Sequence, residues 1–587
     1  MQMMKPKLSA LIFSLLLAAC AQTPQKMPQQ DDPAQRVVDV NAVLPTAAAE
    51  ASAATYPKVE LTDKMLFTFL VADIATQRGR PDLAAEAFLE LAKTTRDVRL
   101  ARRAAQIAYE SQQMELTLDA LKLWQELDPQ SRMPKQMLIS VLIGAGKMEQ
   151  ARPYMVEVLA ADSAKAGHVF EQVYPLFARY ENKQAVYKML RELAQPYYSG
   201  NVEIHWVLAQ AAEAAGAQDD ALNEVHQARA LRPEWEWPVL LEARILLPKS
   251  PQDALRVEKK YLDAYPESKE VRLSYARLLL EQKQYQESRA QFQLILQKQP
   301  ENVEVGFAVA LLSLQLGELD RAEKELKQTL AAGRKDSATV HFYLAQLEEA
   351  KKNEPAALEE YRQVKDGEYM FRSRLRIAYL LLKSGKLNEA REVLHQTVVK
   401  NEVERTQLIL VEGQILRDAK QYDAAFKVLS AGLDRQPDQP ELLYEAAMVA
   451  DKQGKFAVLE EMLRKLIKVA PDHAHAYNAL GYALLERHTR LNEAMKLVEK
   501  AYQLDPDDAA IMDSMGWGYY LLGNLDKSVS FMRRAYAAYP DPEVAAHLGE
   551  VLWKQGQQEE AKRTWQENLQ KNPDSAALKA VIKKFLP

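Results

Sequence analysis

Few residues in this sequence combine types and spacing that could do chemistry. Cys20 is the only cysteine, so neither an intrachain disulfide nor a cysteine-based metal cluster can form, and covalent modification is the chemistry left to its thiol. His473 and His475 are the nearest approach to a metal pair, but two residues apart at a helix start they point to different faces, and a zinc site is not expected. His168, His205, His226 and His341 occur singly. No Ser/Lys, Ser/His/Asp, Walker or glycine-rich nucleotide motif stands at a credible spacing, so catalytic residues, a metal and a cofactor are all unexpected. The chain reads as a binding protein and not as an enzyme. Arg99, Arg102 and Arg103 form only a short basic run, read as a solvated helix face. With a net charge of -5, nucleic acid is excluded as a main ligand.

One group of side chains asks for more. Counting from Gly481, Gly516 and Gly549, the positions expected to face a groove carry Asn478, Tyr482, Asp513, Trp517, Tyr520, His547, Glu550 and Trp553. Aromatic anchors bury area at low entropic cost and amide or carboxylate groups fix a peptide backbone, so this mixture suits a partner-binding groove. Plain packing between repeats is the other reading of the same residues. Tyr285, Tyr422, Trp124 and Trp565 fall at apolar repeat positions and are assigned to the core.

The elements that position these residues follow from a period of 33 to 36 residues beginning at Lys64. A small residue marks the middle of each first helix: Ala72, Ala105, Ala209, Ala243, Ala276, Ala310, Ala345, Ala378, Gly413, Ala447, Gly481, Gly516 and Gly549. About twelve residues later comes a second small residue, as at Ala84, Ala221, Ala254, Ser288, Ala322, Ala357, Ala390, Ala425, Ala494, Ser528 and Ala561, the spacing of one helical hairpin. Small residues there let two helix axes approach to about 8–10 Å. Turns such as Leu316-Gly317-Glu318-Leu319 lie between the marks, and prolines at 233, 266, 300, 437, 471, 506, 540 and 573 close many second helices. About fifteen hairpins are expected. Between residues 130 and 200 the pattern degenerates, with Ile139 and Val173 in the first slot although Ala151 and Ala185 keep the second. Such hairpins bury their apolar faces only by stacking, so the ends need polar caps, and residues 574–587 supply a last helix at one end.

This pattern closely resembles the tetratricopeptide repeat. The resemblance implies an all-α, right-handed superhelical solenoid with a long concave binding groove, regular over 201–573 and partly degenerate over 63–200. The segments 478–482, 513–520 and 547–553 also resemble a C-terminal signature of large proteobacterial tetratricopeptide proteins, with Glu550 where aspartate is expected.

The first residues carry a separate message. Lys5 and Lys7 precede an apolar run from Leu8 to Ala19, about a dozen residues and too short for a permanent membrane span. It ends in Leu17-Ala18-Ala19-Cys20, which resembles the lipobox of bacterial lipoproteins. The resemblance implies a signal peptide over 1–19, lipidation of Cys20 and, with Ala21 in place of aspartate, sorting to the periplasmic face of the outer membrane. Several acyl chains on one residue anchor a body firmly. The Gln-, Pro- and Ala-rich stretch over 20–62 reads as a disordered tether, whose roughly 40 residues reach about 35 Å.

A lipidated repeat protein of this layout resembles, in architecture and general sequence character, the pseudomonad lipoproteins that act as adaptors for a periplasmic carboxyl-terminal processing protease. That resemblance implies protein partners, namely the protease and substrates such as peptidoglycan hydrolases, with the membrane touched only through the lipid. A scaffold for envelope assembly or export (secretion, pili, exopolysaccharide, outer-membrane protein insertion) is the competing expectation.

Overall fold

The computed structural model describes residues 57–586, so the signal-peptide segment, Cys20 and the tether as far as residue 56 lie outside the described residues. Among the described residues the architecture is all-helical, with fourteen antiparallel hairpins, an irregular pair, Ala166–Val173 and Lys183–Ala194, whose helices do not close on each other, and a final single helix, Ala576–Phe585. None of these helices is long and apolar enough to cross a membrane. The chain forms two compact units, one ending at Ala332 and the other starting at Gly333, a division that falls between two hairpins inside the regular 201–573 span.

Within each unit the two helices of a hairpin differ in composition because they differ in surroundings. The first helix Val303–Gln315 is buried nearly all round, from Val305 through Phe307 to Leu314, as an apolar sequence without a polar stripe requires. Its partner Leu319–Ala331 buries only Ala322, Leu326 and Thr329 and gives its other faces to water. Asn302 accepts a hydrogen bond from the Val305 N–H at the start of the first helix, and Gly317, with φ +77°, ends it in the left-handed region that a Cβ disfavours. The prolines at 233, 266, 300, 437, 471, 506, 540 and 573 each stand two residues beyond the last residue of a second helix.

Every small residue named as a hairpin mark outside the degenerate region is buried. Where the second mark is serine it also bonds across the hairpin: the Ser288 hydroxyl donates to the Ala276 carbonyl and the Ser528 hydroxyl to the Gly516 carbonyl, both at 2.7 Å. Each of these bonds joins the second mark to the first.

The degenerate region is a local irregularity. After the hairpin Met133–Gly144 and Met148–Ala161, the next first helix is only Ala166–Val173, continued by a 3-10 turn over Tyr174–Arg179. Pro175 lies in that turn and has no N–H to continue an α-helical ladder. Ile139 and Val173 are buried in the slots assigned to them and Ala151 is buried too, but Ala185 is only half-buried and Val186 takes the inward position. The second mark has slipped by one residue there.

The two ends differ. Ala576–Phe585 buries Leu578 and Val581 and turns Lys579, Lys583 and Lys584 outward. The first of the described helices, Asp63–Gln77, leaves Leu66, Phe67, Leu70 and Ile74 exposed, Phe67 by 68%.

Candidate functional site

Three consecutive first helices of the second unit carry the candidate groove residues: Ala474–Glu486, Ala509–Leu521 and Pro542–Lys554. Glycine fixes how each is rotated. A Cβ at Gly481 would lie 2.5 Å from Val498 Cγ2 and one at Gly516 2.7 Å from Met532 Cγ, so these glycines face their own second helices at closest approach. Positions three before, one after and four after each glycine then form one adjoining stripe. In Ala509–Leu521 these are Asp513, Trp517 and Tyr520.

The stripes meet in a connected cluster. Asp513 Oδ2 pairs with His547 Nδ1 at 2.9 Å across neighbouring helices. The His547 ring stacks on Trp517 at 4.5 Å and lies 6.3 Å from the Tyr482 ring two hairpins earlier. Trp517 also rests against Tyr520 at 5.0 Å. The Tyr520 hydroxyl donates to Glu550 Oε1 at 3.1 Å, and the Lys584 ammonium reaches the same oxygen at 2.8 Å. Tyr482, Asp513, Trp517, Tyr520, His547 and Glu550 are thus brought together, with Asn478 on the first of the three helices. Trp553 stacks on Trp565 at 5.9 Å and packs on Phe585 at 5.7 Å, against the core that Trp517 and Tyr520 also adjoin and that the terminal helix closes.

The electrostatics of the cluster are those of crowded carboxylates. Burial, then the charges of Glu486, Glu543, Asp513 and Asp451, push the Tyr482 hydroxyl far above its ordinary value. Burial and Glu550 push Tyr520 up to about 12. For His547 burial alone would favour the neutral ring, but the paired Asp513, with Glu543 and Glu550, more than offsets it and raises the pKa. Two acceptors are left over: Asp513, only 7% exposed, has Oδ1 buried without a hydrogen-bond partner, and so has Asn478 at its Oδ1. A buried acceptor without a donor costs about 1–3 kcal/mol.

Sequence reasoning missed Lys584, Glu486 and Glu543. Lys584 could have been found, because it follows Glu550 by 34 residues, the interval that also separates Asp513 from His547.

Two other histidines hold local structure. His473 caps its helix, its Nδ1 accepting from the Ala476 N–H at 3.1 Å, and its ring is 6.3 Å from that of His475. His205 is buried against Glu224 at 2.7 Å, and Tyr198 donates to the same carboxylate. Trp124 and Trp565 are buried in the core, whereas Tyr285 and Tyr422 are half-buried. Arg99 pairs with Asp97 at 2.5 Å on an exposed face and Arg103 is exposed, while the Arg102 guanidinium lies 5.8 Å from the Trp124 ring.

Models of the tetratricopeptide repeat match residues 246–305, 279–347, 375–440 and 444–509. Along almost its whole length the chain is similar to a TPR repeat-containing protein of Pseudomonas aeruginosa, with 34% identity over 93% of this chain and 90% of that protein. The chain belongs to the tetratricopeptide-repeat family. Among solved structures it is similar to a thermophilic TPR protein of Thermus thermophilus (27% identity, 30% of this chain and 95% of that one, TM-score 0.28). It is also similar to the C-terminal part of a TPR repeat-containing protein of Cytophaga hutchinsonii (15% identity, 41% of this chain and 98% of that one, TM-score 0.34). Repeats of this family bind other proteins, and stacked hairpins give them an extended surface for doing so.

Proposed function

We propose that this tetratricopeptide-repeat protein is a lipid-anchored adaptor of the bacterial outer membrane, recruiting and activating a periplasmic carboxyl-terminal processing protease toward envelope substrates such as peptidoglycan hydrolases. The observation that carries the binding role is the cluster of Tyr482, Asp513, Trp517 and His547, in which half-buried aromatic rings adjoin a buried carboxylate with an oxygen still to be satisfied. Leu17-Ala18-Ala19-Cys20 supports the anchor, and an anchored body raises the local concentration of whatever it holds without new contacts. Activation requires that the adaptor bind the active conformation of the protease more tightly than the inactive one. The adaptor cleaves nothing itself.

The test is a crosslinked pull-down from envelope extract with the chain carrying its anchor, followed by cleavage assays with the captured protease. A processing protease together with cell-wall hydrolases, and faster cleavage when the adaptor is added, is the expected result. Secretion, pilus or export components without any protease would overturn it in favour of an envelope assembly scaffold. Undiminished proteolysis in cells lacking the chain would also overturn it.

A further inference from the structure

The carboxylates around the aromatic cluster outnumber its cations. Asp451, Glu486, Asp513, Glu543 and Glu550 bear on Tyr482 and His547, against Arg487, Lys584 and His547 itself. Lys584 is taken by Glu550 and Arg487 stands 3.8 Å from Asp451. Glu486 and Glu543, both exposed, have no ion-pair partner among the described residues, unlike Glu460, which binds Arg490 and Arg464, and Glu493, which binds Arg464. The buried Asp513 holds His547 with one oxygen and has no donor for the other. Half-buried faces of Tyr482 and Trp517 stand beside these charges.

We infer that the surface formed by Tyr482, Glu486, Asp513, Trp517, Glu543 and His547 is a subsite for the lysine or arginine side chain of a bound protein segment. The inference rests on the groove reading of these residues given above and names the chemistry of the segment the groove takes. An ammonium or guanidinium group has donors only, and the oxygens waiting here are acceptors. Its alkyl stem or guanidinium plane packs on an indole or phenol face, where a cation gains further from the ring quadrupole. An aspartate, a glutamate or a chain-terminal carboxylate would meet like charge. An apolar side chain would leave the Asp513 and Asn478 acceptors unsatisfied.

The experiment is selection of a random-peptide library against the full chain and against its Glu486→Gln/Glu543→Gln double variant, both side chains being exposed and outside the core. Labelled selected peptides, with arginine or lysine replaced by glutamine as controls, are then titrated by fluorescence anisotropy. Lysine or arginine should be enriched at one position. Affinity should fall about tenfold on replacing that residue or on introducing the double variant, and should weaken with added salt. Circular dichroism verifies that the variant is folded. Enrichment of acidic or apolar residues, an absence of any enriched residue, or a basic preference that persists in the double variant overturns the inference. Peptides lacking a basic preference that still lose binding in Trp517→Ala would overturn it while leaving the groove reading intact. Basic peptides selected by a chain that captures no protease would retain the subsite and overturn the adaptor role.

Discussion

A Cβ at Gly549 would lie 2.0 Å from the indole nitrogen of Trp565, which is fully buried and donates to the Ala546 carbonyl at 3.2 Å. In an open helix interior, alanine is better than glycine by about 1 kcal/mol. Here the indole would have to leave its site, and overpacking of this kind costs about 1–3 kcal/mol, so the clash decides the sign. Gly549→Ala should lower the stability of the second unit in urea melts followed by tryptophan fluorescence. Gly306 provides the opposite case. A Cβ there meets nothing nearer than Thr329 Oγ1 at 3.8 Å, so Gly306→Ala should stabilise by about 0.5–1 kcal/mol. Two glycines inside first helices thus predict opposite signs for one substitution.

The cross-hairpin bond of Ser528 gives a second expectation. Its hydroxyl reaches the Gly516 carbonyl from a fully buried position. Ser528→Ala keeps the small volume and loses only the bond, and should cost about 0.5–1.5 kcal/mol. Ser528→Val adds bulk where two helices touch and should cost more. Thermal melts of the two variants side by side separate hydrogen bonding from packing.

These marks were legible in the sequence because close helix contact admits few residue types, so contact geometry is written directly into composition. The break near Pro175 was only half legible: apolar residues continue at helical spacing through Val173, and the hydrophobic pattern does not report that the backbone tightens into a 3-10 turn. At the candidate site, counting from three glycines singled out Asp513, Trp517 and His547, whose side chains adjoin. For Trp553 the same count cannot see that the chain returns as a terminal helix, bringing Phe585 against it. Glu486 and Glu543 look like ordinary surface residues in sequence, and only the fold sets their charges beside Tyr482.

Glu258 predicts a pH effect of its own. It is 1% exposed, accepts a hydrogen bond from Ser274 at 2.5 Å and has its second oxygen unpartnered. Burial pushes its pKa up to about 8. The folded state therefore keeps a proton that the unfolded chain releases near pH 4.3, and stability declines as pH rises from about 4.3 to 8. Glu258→Gln, still able to accept from Ser274, should remove that decline. A gain of about 1–3 kcal/mol at pH 8 with little change at pH 4 is expected. Denaturant melts at the two pH values measure it, and equal effects at both would show that Glu258 is not the titrating group.

The Asp513 and His547 pair titrates in the other direction. His547 has a raised pKa because Asp513, with Glu543 and Glu550, outweighs the burial that opposes charge. For a histidine raised on folding, the stabilisation is complete below the unfolded value near 6.5 and is lost as pH climbs through the folded value. Asp513→Asn removes the largest charge favouring imidazolium but leaves the ring buried, so the His547 pKa should fall back toward or below 6.5. Proton NMR titration of the imidazole resolves this directly, and an unchanged midpoint would place the charge support elsewhere. The same titration bears on binding. Deprotonation of His547 removes a positive charge from beside Trp517 and frees the Asp513 carboxylate from its ionic partner, so a basic peptide should bind more tightly above the His547 midpoint than below it. Anisotropy titrations on either side of that midpoint should show a tighter Kd at the higher pH, and the pH dependence should disappear in His547→Phe if this imidazole is its source.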